Sequence, residues 1–113
     1  SIEHADTRQT NSQIISMFDF EKLTVYLKAK EFNKKVNLFL SETSLDRTTN
    51  DQLRRASFSI MLNIAEGSGR FTKPDKRNFY VISRGSVFEC VAIFDFLKDL
   101  NLISNNDFDK FYA

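Results

Sequence analysis

The chain has almost none of the residues that turn a backbone sharply, with three glycines and one proline in 113 positions. An all-β fold needs such residues at short, regular spacing, so their scarcity points to a few long helices joined by two or three connections. The single cysteine, Cys90, excludes an intrachain disulfide. Small secreted domains usually carry an even set of cysteines, so a reducing cytoplasm is the expected compartment. No apolar run approaches the roughly 20 residues needed to cross a bilayer, and no export signal is read at the N-terminus. With one histidine, His4, a ferritin-like metal bundle lacks its Glu-x-x-His motifs, and neither a metal nor a cofactor is expected.

Net charge is also small, at +1, but the charges are unevenly placed. Residues 1–53 carry 7 Lys/Arg against 8 Asp/Glu, residues 54–84 carry 7 against 2, and residues 85–113 carry 2 against 5. A basic middle and an acidic end fit a polyanion-binding face, complementary surfaces in an assembly, or ordinary solvated helix faces.

What the chain does have is phenylalanine, 12 of them, and long stretches of helical period. Residues 1–17 are polar and without period, which reads as a mobile leader; residues 18–113 read as one helical domain. The first helix is expected to start at Asp19 as cap, with Leu23, Tyr26, Leu27, Phe32, Val36, Phe39 and Leu40 as its buried stripe. The second is expected near Thr49 to Asp51, with Leu53, Ala56, Ser57, Ile60, Met61 and Ile64 on one face. Gly67 and Gly69 then supply the positive φ of a helix end. Pro74 reads as the first-turn proline of a third helix capped by Thr72 or Lys73 and running to about Leu100. Its stripe is Phe79, Ile82, Ser83, Ser86, Cys90, Ile93, Leu97 and Leu100. Tyr80, Val87, Phe88, Val91 and Phe96 fall off that stripe, an excess of apolar surface that suggests contact with another subunit. A last helix, capped by Asn105 or Asn106, runs through Phe108, Phe111 and Tyr112. Fewer than three turns are marginal alone, so this helix is expected to continue beyond Ala113.

The stretch QLRRASFSIMLNIAEGSGR, Gln52 to Arg70, together with ISRGSVFEC, Ile82 to Cys90, resembles the bacterial four-helix-bundle proteins. These were first noticed as products of open reading frames in intervening sequences of 23S ribosomal RNA genes. The accessory variability proteins of diversity-generating retroelements are relatives. The resemblance spans Phe18 to the C-terminus, and its specific parts are LRRA, NIAEG, the following Arg70, and the GS and Glu89 of the later segment. It implies an all-α, up-and-down four-helix bundle, commonly assembled as a homopentamer; the short last helix reads as a truncated fourth helix of that bundle. For the retroelement relatives it implies binding to a reverse transcriptase and to nucleic acid through a basic surface; most members have no assigned activity.

The motif residues also have a physical reading. Asn63 and Glu66 lie one i, i+3 step apart before Gly67. Asn63 is placed to satisfy groups at the helix end, and Glu66 to form a buried pair with Arg55, Arg70 or Arg84. Gly85 falls in mid-helix, where a close helix–helix approach would compensate its cost. Glu89, one turn on, is placed to meet Arg54 or Arg55 across the bundle.

No catalytic residue is read. Glu66 and Glu89 have arginine neighbours that keep them ionised, unlike a general acid. Cys90 lies on a core stripe far in sequence from His4. GSGR, Gly67 to Arg70, follows a helix instead of a strand and lacks the Walker ending.

Two readings remain. In the first, a homo-oligomeric interaction module binds RNA, DNA or a nucleic-acid-handling protein through Arg70, Lys73, Lys76 and Arg77, with Arg54, Arg55 and Arg84 engaged by Glu66 and Glu89. Phe71 and Phe79 are available for base stacking in this reading, although core burial is expected for both. In the second, the chain is an assembly protein with no nucleic-acid role.

Overall fold

Three helix starts in this protein are set by short polar side chains that accept orphan backbone N–H groups. Asp46 accepts from the Thr49 amide at 3.1 Å and from the Thr49 hydroxyl at 2.6 Å, bonds that hold its carboxyl below the usual carboxylate range. Thr72 accepts from the Asp75 amide at 3.3 Å, and Ser104 from the Asp107 amide at 3.0 Å. The resulting helices in the computed structural model, which describes residues 20–112, are α1 (Phe20–Glu42), α2 (Arg47–Ser68), α3 (Lys73–Asp99) and α4 (Asn105–Tyr112). The leader at 1–17 and the expected cap at Asp19 lie outside the described residues. Two starts differ from expectation: α2 begins earlier, because Asp46 and not a residue at 49–51 is the cap, and α4 is capped by Ser104 instead of Asn105 or Asn106.

The described residues form an all-helical four-helix arrangement without strands. Cross-helix contacts give its up-and-down order. Ser86 meets Ser59, Ser83 meets Ile60, and Tyr80 meets Ser68, so one number falls as the other rises and α2 and α3 are antiparallel. Phe108 lies beneath Lys98 and Phe111 stacks on Phe94, so α4 turns back along α3 in the same way. The core comprises Val36 and Leu40 of α1, Leu53, Ala56, Ile60 and Ile64 of α2, Cys90, Phe94 and Leu97 of α3, with Ala29 and Ile103.

Three of the expected stripes hold in the main and fail at identifiable points. Phe94, absent from the expected stripe, is among the most deeply buried side chains at 1% exposure, whereas Ile82 and Leu100 are exposed. In α1 the small Ala29 is buried and Leu27 is half exposed. Phe94 is drawn inward by an aromatic cluster. Its ring stacks on Phe111 at 4.3 Å and meets Phe32 and Phe39 edge-on at 6.3 and 6.1 Å, pairings that add about 0.5–1.5 kcal/mol each to area burial. This cluster anchors the short α4, whose eight residues would be marginal as an isolated helix.

Between α1 and α3 the packing of the described residues stays open. A groove of about 590 Å³ runs from Tyr80 to Phe94, floored by Ala29, Ile60 and Cys90, with Val25, Val87 and Val91 along it. In a bundle of four equal helices the fourth would take this space, and α4 fills only the end closed by Phe111.

The glycines do not do what their spacing suggested. Gly69 ends α2 with φ −85°, an ordinary right-handed value, and no glycine has positive φ; among the described residues the left-handed one is Asn101, φ 59°, after α3. Gly67 is buried inside α2, where an added Cβ would stand 2.7 Å from Tyr80 Cε1 and 3.2 Å from Phe79 Cβ. Gly85, expected at a tight helix contact, has nothing within 4 Å of such a Cβ.

Cys90 is buried, and its thiol is pushed up to about 12, first by loss of water and then by the charge of Glu89.

Opposite effects are expected at the two helical glycines. Gly67→Ala lowers stability by about 1–3 kcal/mol in urea denaturation because Tyr80 must move, while Gly85→Ala raises the monomer's stability by about 0.5–1 kcal/mol by removing a helix-interior glycine. For Cys90 the raised pKa means the folded state retains a proton that the unfolded state releases. Its contribution is therefore fully present below about pH 9 and is lost as pH rises toward 12. Aromatic disulfide reagents at pH 8 are expected to leave the native thiol intact and to modify it at once in denaturant.

Candidate nucleic-acid interface

The basic segment of the sequence becomes a surface because α3 opens with cations at helical spacing. Lys73, Lys76 and Arg77 occupy positions i, i+3 and i+4, and Tyr80, Val81 and Arg84 continue the same face, the six lining a shallow depression of about 350 Å³. No carboxylate lines it. Asp75, the acidic residue of the first turn, projects from the opposite side of the helix, where it suits the N-terminal dipole. None of Lys73, Lys76, Arg77 and Arg84 is in an ion pair among the described residues.

Tyr80 fixes the depression to the rest of the bundle. Its ring rests on Gly67, its hydroxyl is 3.2 Å from Ser68 Oγ, and the Lys22 ammonium of α1 lies 4.3 Å from its ring centroid. Three helices therefore meet at one aromatic side chain, and the cations of α3 are presented from a rigid support. Arg70 is more committed. Its guanidinium lies 4.5 Å over the Phe79 ring and 3.4 Å from Glu66 Oε2, a pair about half exposed and weak by the measure of surface ion pairs.

The motif residues are placed differently from the sequence-based expectation. Asn63 does not cap the end of α2; its Nδ2 donates back one turn to the Ser59 carbonyl at 2.8 Å and to Ser59 Oγ at 2.9 Å, and Ser59 Oγ also meets Ser86 at 2.9 Å. Glu66 pairs with Arg70, as one of its three candidates, but at the surface and not buried. Arg54 pairs with Asp51 of its own helix at 2.9 Å, so it is not engaged by Glu89, which is exposed, as is Arg55. Arg84 lies over the Phe88 ring at 5.5 Å instead of pairing with either glutamate. The buried polar links between α2 and α3 are serines, not salt bridges.

Phe71 is the side chain that sequence reasoning misplaced most. Core burial was expected; it is fully exposed, at 101%, in the connection between α2 and α3, while Phe79 is half-buried beneath Arg70. The signal was its position in GSGRFTKP, between Gly69 and Pro74, where neither helix can carry it onto a buried stripe.

Among the described residues no helix is long and apolar enough to cross a membrane, and no group of three or more His, Cys, Asp or Glu side chains gathers. A search of curated proteins found no match. The family model described as 23S rRNA-intervening sequence protein matches residues 21–113, from the first turn of α1 through α4. That span holds the small-residue contact of α2 with α3 and the basic start of α3, and the chain belongs to the 23S rRNA-intervening sequence protein family.

Proposed function

We propose that this protein is a non-enzymatic helical module that assembles with copies of itself in the cytoplasm and binds nucleic acid, or a protein that handles it, through the basic face of α3. The observation that carries this reading is the row of Lys73, Lys76, Arg77 and Arg84, gathered around Tyr80 without a carboxylate among them. Cations held close together without counter-charges favour a polyanion, whose condensed counterions are released on binding. One such patch is small, but several copies in an assembly act together, with the second contact becoming intramolecular.

Assembly is supported by a different set of side chains. Ile82, Phe96 and Leu100 are exposed along α3, and Phe58 and Leu62 along α2, large apolar side chains of the kind that mark a protein contact when they gather on one surface. Gly85 lies within that α3 row with open space beside it, room for another helix to approach. A homopentamer is one closed arrangement that this surface would serve. The same exposed residues favour the second reading, a pure assembly protein. Salt separates the two, since apolar contacts persist where phosphate contacts fade.

The test is fluorescence anisotropy of labelled RNA and duplex DNA at low and near-physiological salt, with sedimentation to follow assembly. Wild-type protein is expected to bind in the micromolar range at low salt. Changing Lys73, Lys76 and Arg77 together to Gln is expected to abolish most binding and to reduce the slope of log affinity against log salt by about 2, near 0.7 per lost phosphate contact on a single strand. The oligomer is expected to remain intact. Unchanged binding would remove the basic face from consideration, and loss of assembly alone would favour the pure assembly reading.

A further inference from the structure

Phe71 is a large apolar ring with no burial at all, so packing among the described residues does not account for its presence. Its backbone is nevertheless held. The connection from α2 to α3 spans residues 69–72, pinned on one side by the Gly69 amide on the Ala65 and Glu66 carbonyls and the Arg70 amide on the Gly67 carbonyl at 3.2 Å. On the other side it is pinned by the Thr72 cap on Asp75. Arg70 and Lys73 flank the ring in sequence, and Lys76 and Arg77 follow within the next turn of α3. Of the nearest acidic side chains in sequence, Glu66 is paired with Arg70 and Asp75 does not line the basic depression.

From this arrangement we infer that the basic face takes single-stranded nucleic acid, with Phe71 stacking on one unpaired base while Lys73, Lys76 and Arg77 hold the neighbouring phosphates. The inference rests on the nucleic-acid reading above and narrows its ligand class. An aromatic face beside closely spaced cations is what an unpaired strand offers partners for, because every base has a π-face and each nucleotide a phosphate. A duplex keeps its base faces stacked inside, out of reach of a ring on a turn. Stacking carries no sequence requirement, so the site is expected to tolerate different bases.

The experiment compares a fluorescein-labelled 12-nucleotide RNA with the same strand annealed to its complement, binding the full chain in its native assembly. Wild type is expected to prefer the single strand. Phe71→Ala is expected to weaken single-strand binding about tenfold, in line with the usual loss of one stacked base, with duplex affinity and salt slope unchanged. Phe71→Trp is expected to restore affinity. Because the chain contains no tryptophan, that indole is also the only one present, and stacking is expected to quench its emission on titration with the RNA. An exposed side chain is not needed for folding, and unchanged circular dichroism and melting of both variants verifies this. The stacking role is overturned if Phe71→Ala leaves single-strand affinity intact, weakens both ligands equally, or dissociates the assembly, the last marking Phe71 as a subunit contact. If the Lys73, Lys76 and Arg77 variant binds as wild type, or wild type binds neither ligand, the wider nucleic-acid reading falls as well. Loss of binding in the charge variant with none in Phe71→Ala removes the stacking alone.

Discussion

Close approach of α2 and α3 is the constraint on which the rest of the fold depends. It is permitted by small residues, with Ser59 and Gly67 on one helix and Ser83 and Ser86 on the other, and it is fixed in register by hydroxyls. Ser83 donates to the Ile60 carbonyl at 2.9 Å, and Ser86 reaches Ser59 at the same distance. Among the described residues no buried side-chain polar atom lacks a partner, so these groups orient the helices without an uncompensated burial cost. At the end of this contact Gly67 admits the Tyr80 ring, and the first turn of α3, with its cations, is set in place as a consequence.

The other helices are attached by apolar and aromatic packing. α1 adds Val36 and Leu40 to the core and a polar contact in which Ser57 donates to Asn33 Oδ1 at 2.9 Å. α4 is held at one end by Phe111 within the ring cluster of Phe32, Phe39 and Phe94. The molecule is thereby closed at the α4 end and open along α1 and α3 toward Tyr80. The buried hydroxyl bonds lie where α2 meets α3, the part that carries the basic face, and apolar side chains are left exposed along both helices.

Much of this was legible in sequence, and the misreadings share a cause. The α2 stripe could be read because Leu53, Ala56, Ser57, Ile60 and Ile64 keep strict helical spacing beside one dominant neighbour. In α3 the rule blurred: apolar residues occur nearly all round, so periodicity did not separate buried Phe94 from exposed Ile82. That choice is made by the aromatic cluster, which depends on the distant Phe32, Phe39 and Phe111. Glycine spacing suggested turns, yet Gly67 serves contact with Tyr80, a long-range partner that local sequence does not reveal. Charge complementarity suggested buried pairs between the Arg54/Arg55 region and Glu89, whereas serines and Asn63 make the polar links. The basic cluster itself was visible as composition. Its freedom from carboxylates, and the full exposure of Phe71 beside it, required the geometry.

Hydrogen–deuterium exchange of the native assembly, with and without a 12-nucleotide single-stranded RNA, tests most directly whether the α2–α3 unit is both the rigid support and the binding end. The slowest amides are expected around Ile60–Ile64 and Ser83–Cys90 in either state, with RNA slowing exchange from about Gly69 into the first turns of α3. Faster exchange across α2 and α3 than across α1, or RNA protection confined to the groove between α1 and α3, would contradict that account.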